Sequence, residues 1–170
     1  MRRALDVLYD GAAWLAALCM VGLLVVVLLS ILSRQLDVHL PGLDAYAGYL
    51  MAGAGFLALA HTLKKGEHIR VTLLLAALRG KAQRGLEIWA LGAASLLAVL
   101  AAYYACRLSW QSHAFHDIST GNDATPLWLP QLSMALGNVI LAVAFVDELV
   151  LELRGRRLAP VAQAQALHNE

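Results

Sequence analysis

Four long apolar runs, separated by polar segments, organise the chain. They cover residues 12–32, 43–63, 86–108 and 127–146. A helix needs ~20 mainly apolar residues to cross the ~30 Å hydrocarbon core of a bilayer, and each run is long enough. The first and fourth carry no charge. The second has Asp44 near its start and His61 near its end, and the third has Glu87 and Arg107 at its margins. The pattern predicts an all-α membrane protein with four transmembrane helices. The first run is too long for the apolar core of a cleaved signal peptide, so it is expected to be a helix of the mature protein.

The segments between the runs add detail. Residues 71–78, VTLLLAAL, are apolar but too short to span. Flanked by Arg70, Arg79 and Lys81, they read as a helix lying in the cytoplasmic membrane interface between the second and third spans. The N-terminal RRALDVLYD sets Leu5, Leu8 and Tyr9 at helical spacing and is expected to lie in the interface too. The tail after Arg157 is polar and rich in Ala and Gln, and is expected to be disordered. Residues 1–157 are then one four-span domain.

Composition supports lipid as the solvent: 60% of the residues are hydrophobic and 15% charged, against about a quarter charged in soluble domains. The placement of charge says more than its sum. Eleven of the thirteen Lys and Arg fall in the N-terminal tail, the loop after the second span and the C-terminal tail; only Arg34 and Arg107 fall on the other side. Cytoplasmic loops hold the excess of Lys and Arg, so both termini are expected on the cytoplasmic side. Trp14, Trp89, Trp110 and Trp128 stand near span ends, where interfacial aromatics gather. Cys19 and Cys106 both lie inside apolar runs and read as small hydrophobes, not as a disulfide or zinc pattern.

Helices in lipid associate through small residues that let backbones approach. The second span offers Ala45, Gly48, Ala52 and Gly55 along one face, and the third offers Ala94, Ala98, Ala101 and Ala105. These two helices are expected to pack closely, with the Leu- and Val-rich first span facing lipid or a partner.

An ionisable group at mid-membrane marks a functional site, and no span carries one at its centre. Nor does a mid-span proline break a helix, as happens at the binding sites of many carriers. A self-sufficient transporter is therefore disfavoured, and an enzyme motif is absent. A haem-binding anchor of a redox complex is the alternative class. Its two His ligands would have to meet, yet His61 lies at the inner end of its span while His113 and His116 lie beyond the outer end of the third. A metal site from His113, His116 and Asp117 is conceivable from spacing alone, but the surrounding SWQSHAFHDISTGNDATP reads as a polar loop. No cofactor is expected.

The stretch LDAYAGYLMAGAGFLALAHTLKKGEHIRVTLLL resembles the small permease subunit of tripartite ATP-independent periplasmic (TRAP) transporters, the DctQ-like family. Asp44 takes the acidic position that opens the second helix in that family, though the family often has Glu there, sometimes paired. The loop element Gly-x-His-Ile-x-Val appears as Gly66, Glu67, His68, Ile69, Arg70 and Val71. Arg34 matches an arginine common at the end of the first span, and TPLWLP resembles the entry to the fourth. The resemblance covers residues 10–150. It implies a large permease subunit that holds the substrate and sodium sites, a periplasmic binding protein that delivers an organic acid, and a bracing role for this chain in the bacterial inner membrane. The candidate subunit-interface or structural residues are Arg34, Asp44, Gly48, Ala52, Glu67, His68 and Arg70. Arg34 and Asp44 are expected to pair across the short outer loop. His68 and Arg70 either pin the loop against helix ends or stand as solvated or headgroup-bound charges.

Overall fold

A computed structural model describes residues 2–38, 40–64, 81–121 and 123–154. Four helices account for nearly all of them: α1 (Arg2–Gln35), α2 (Leu43–Lys64), α3 (Lys81–Ala114) and α4 (Trp128–Leu153). All four are long and apolar enough to cross a membrane, so the chain is an all-α protein with four membrane-spanning helices. Segment 71–78, the tail after Arg157, and Glu67, His68 and Arg70 lie outside the described residues.

α1 and α3 each have 34 residues, which at ~1.5 Å per residue is about 50 Å and overshoots the ~30 Å hydrocarbon core. The N-terminal RRALDVLYD is accordingly not a separate interfacial helix. It is the first part of α1, because nothing in that segment breaks a helix and Tyr9 finds a packing site inside the protein.

The helices form a row in the order α1, α2, α4, α3, with extensive contact only between neighbours. Burial agrees with this order. Only 6% of the apolar window of α1 is buried within the chain, against 33% for α4. An edge helix has one neighbour and an inner helix has two. The expected pairing of α2 with α3 is therefore not the one adopted: α2 packs on α1 and α4, and α3 on α4.

The small-residue rule itself holds, partly on the expected residues of α3, Ala98 and Ala105, and otherwise on different ones. The buried stripe of α3 is Ser95, Ala98, Ala102, Ala105, Ser109 and Ser112, spaced alternately by three and four, as one helix face requires. On α2 the packed residues are Gly53, Ala54, Leu57, Ala60 and Leu63. Gly48 and Gly55 are exposed, with open space where a side chain would begin. The face actually used is fixed by partners of matching shape. A Cβ on Gly53 would stand 3.3 Å from Cys19 Sγ of α1 and 3.5 Å from Ser133 Oγ of α4, so three helices meet at this glycine. Towards the end where α1 begins, Tyr9 and Ala12 of α1 cluster with Ala60 and Leu63 of α2 and with Ile140 and Ala144 of α4.

Candidate functional site

The polar chemistry of the chain gathers at the two ends of the helix row. The end that holds the α1–α2 and α3–α4 connections is labelled outer, and the end that holds the start of α1 and the end of α4 is labelled inner.

At the outer end, α1 and α3 terminate in the same way. Asp37 (φ 54°) and His116 (φ 56°) adopt the left-handed conformation just past each helix. The next amide reaches back five residues, Val38 N–H to Ser33 O at 2.9 Å and Asp117 N–H to Ser112 O at 3.0 Å. This is the Schellman arrangement, which satisfies the otherwise orphaned last carbonyls of a helix. His113 lies edge-on to Trp128 at 5.3 Å and stacks with His116 at 6.5 Å. These imidazoles pack the end of α3 against the start of α4. Among the described residues, no three His, Cys, Asp or Glu converge as metal ligands would.

The α3–α4 connection is a folded hairpin: Ser119 N–H donates to Thr125 O at 2.9 Å and Leu127 N–H to Asp117 O at 3.0 Å. It docks onto the start of α2. The Tyr49 hydroxyl donates to Asp123 Oδ2 at 3.0 Å, and the Thr125 hydroxyl donates to Tyr46 Oη at 3.3 Å. Gly42 (φ 86°) lets the chain pass: a Cβ there would stand 2.8 Å from Asp123 Cβ. The surrounding hydroxyls, Thr125 first, then Ser119 and Tyr49, favour the charged carboxylate and hold the pKa of Asp123 down at about 2. Tyr46, Tyr49, Asp123 and Thr125 did not stand out in the sequence. The available signal was a pair of tyrosines three apart at the start of a span, facing a loop rich in Ser, Thr and Asp.

Arg34 and Asp44 both line one groove at this end, but they do not form the expected ion pair. Among the described residues the contacts between basic and acidic side chains include Lys64–Asp6, His61–Asp10 at 3.6 Å and Arg84–Glu152 at 3.9 Å. All three lie at the inner end. Lys64 also sits 4.9 Å from the centre of the Tyr9 ring, a cation–π contact. Arg84 donates to the backbone carbonyl of Glu152 at 3.4 Å, placing a cation at the C-terminal, negative end of the α4 dipole. The inner clasp thus ties α1 to α2 and α3 to α4.

Between the two ends, several polar side chains turn back on their own helices, whereas Ser109, nearer the outer end, donates across to Trp128 O of α4 at 3.4 Å. Ser95 donates to Leu91 O at 2.7 Å, Ser133 to Pro130 O at 2.7 Å, and Thr62 to Leu59 O at 2.9 Å. Asn138, the best candidate for a bond between helices, instead donates to Met134 O at 2.9 Å. Small Gly and Ala neighbours bring the helices together without that bond.

This geometry defines a multi-pass membrane protein whose charged groups brace its two ends and leave its interior without a charged ligand site. The profile of the family described as tripartite ATP-independent periplasmic transporters, DctQ component, matches residues 23–155. The chain belongs to that family: it is the small permease component of a TRAP transporter. No curated protein matches the sequence at a significant level.

Proposed function

We propose that the chain is an accessory scaffold subunit. It braces a large permease in the bacterial inner membrane while that partner carries out sodium-coupled uptake of an organic acid, delivered by a periplasmic binding protein. The observation that carries this reading is the combination of an open helix row with an uncharged interior. An organic acid needs compensating charge or helix-end dipoles at membrane depth. Here the Ser95 and Ser133 hydroxyls and the Asn138 amide bond to their own helices, so substrate and sodium are assigned to the large subunit. The row leaves α1 uncovered along Leu18, Val21, Leu24, Val25 and Leu28, which offers broad area for lipid or a larger neighbour.

Gly48 and Ala52 are assigned to the subunit interface. Gly48 has room for a side chain within this chain, so Gly48→Leu should insert and fold normally. His68 and Arg70 are assigned to pinning the inner loop, and Glu67 beside them to the subunit interface or the loop's structure. Co-purification with the large permease tests both assignments. The expected result is that Gly48→Leu with Ala52→Leu, or His68→Ala with Arg70→Ala, lowers recovery of the complex several-fold at unchanged membrane levels of this chain. Full recovery with both pairs would refute the assignments.

Orientation follows from the eleven basic residues on one side. Reporter fusions after Arg157 and within 64–84 should read cytoplasmic, and a fusion near Asn122 periplasmic. A periplasmic reading from 64–84 would invert the arrangement.

A further inference from the structure

The groove at the outer end of α1 and α2 has a volume of about 460 Å³, and its polar wall includes Ser33, Arg34, Asp37 and Asp44. A narrower slot of about 140 Å³ adjoins it, walled by Val26, Val27, Ile31 and Ala47. Ser30, Arg34, Leu43 and Asp44 border both, so the two form one channel, polar at the helix ends and apolar towards the membrane interior. From Val26 to Arg34 is eight residues along α1, about 12 Å at ~1.5 Å per residue. Arg34 stands at the junction and makes no ion pair among the described residues. A guanidinium at that level presents a fork of donors suited to a phosphate. Asp37 and Asp44 then outweigh it by one negative charge, which favours a ligand that carries a cation beyond its phosphate.

We propose that this channel binds a phospholipid of the outer leaflet whose headgroup ends in an ammonium. The phosphodiester lies on Arg34, the ammonium is met by Asp37 and Asp44, and an acyl chain fills the slot between Val26 and Ala47. A phospholipid is preferred over a soluble phosphoester because the charged groove continues into a slot whose far walls, Val26, Val27, Ile31 and Ala47, are apolar. It is preferred over an acidic segment of a partner because the two aspartates would repel one. The inference rests on the membrane reading of the chain and is independent of what the transporter carries.

Native mass spectrometry of the detergent-purified full chain tests it, with phosphatidylethanolamine, phosphatidylglycerol and glycerophosphoethanolamine as probes. Phosphatidylethanolamine adducts should exceed phosphatidylglycerol adducts at least fivefold, and glycerophosphoethanolamine should not bind at the same concentration. Arg34→Gln should cut the phosphatidylethanolamine adduct about tenfold, whereas Arg107→Gln, the other basic residue of the outer side, should leave it unchanged. Asp37→Asn with Asp44→Asn should reverse the preference towards phosphatidylglycerol, a gain that a misfolded protein would not show. Equal binding of the two lipids by the unmodified chain, or an undiminished adduct in Arg34→Gln, would overturn the proposal. So would binding of glycerophosphoethanolamine as tight as that of the lipid, or loss of the adduct when the large permease is added.

Discussion

Replacing Gly137 with leucine should abolish the native fold of this subunit, whereas the same change at Gly48 should leave it intact. A Cβ on Gly137 would lie 2.6 Å from both the carbonyl carbon and the carbonyl oxygen of Phe56. Those are backbone atoms of α2, which cannot swing away as a side-chain tip can. The helices would have to separate, and α4 is the inner helix on which both α2 and α3 pack. Overpacking a tight site costs ~1–3 kcal/mol and occasionally more. A leucine against backbone belongs at the upper end, at about 3 kcal/mol or above, a large part of the marginal stability of a small domain. Gly48 has nothing within 4 Å of its Cβ position. The check is the amount of monodisperse, helical protein recovered from membranes: near zero for Gly137→Leu and unchanged for Gly48→Leu. Equal recovery would show that α2 and α4 do not cross at these residues.

The four spans were legible because lipid imposes a length and an apolarity that few other folds share. The neighbours of each helix were not legible. In a bilayer, helices pair by shape, and α2 carries small residues on more than one face. Ala45, Gly48, Ala52 and Gly55 formed the more regular series, yet Gly53 is the residue wedged between Cys19 and Ser133. Choosing between the faces requires knowing where the bulky partner stands, here Phe56 beside Gly137 and Leu50 beside Gly22. The same limit explains Arg34 and Asp44. Their proximity followed from the short loop, but the left-handed turn at Asp37 and the docking of Gly42 on Asp123 open a groove where an ion pair was expected. The outer clasp of Tyr49 with Asp123 joins residues 74 positions apart, a contact that no local pattern announces.

The second large effect concerns transport itself. An anion crossing this chain alone would meet no charged group in the middle of any span, and hydroxyls at Ser95 and Ser133 already committed to Leu91 and Pro130 of their own helices. The cost of taking an unpaired carboxylate to the centre of a bilayer is several kcal/mol even on lenient scales, enough to reduce uptake by orders of magnitude. The scaffold reading thus predicts an all-or-none dependence on the partner. Sodium-dependent uptake of a radiolabelled organic acid into proteoliposomes, with the periplasmic binding protein outside, measures it. Vesicles holding this chain alone should match protein-free vesicles, and vesicles holding it with the large permease should accumulate substrate. Uptake by this chain alone above the protein-free level would contradict the account.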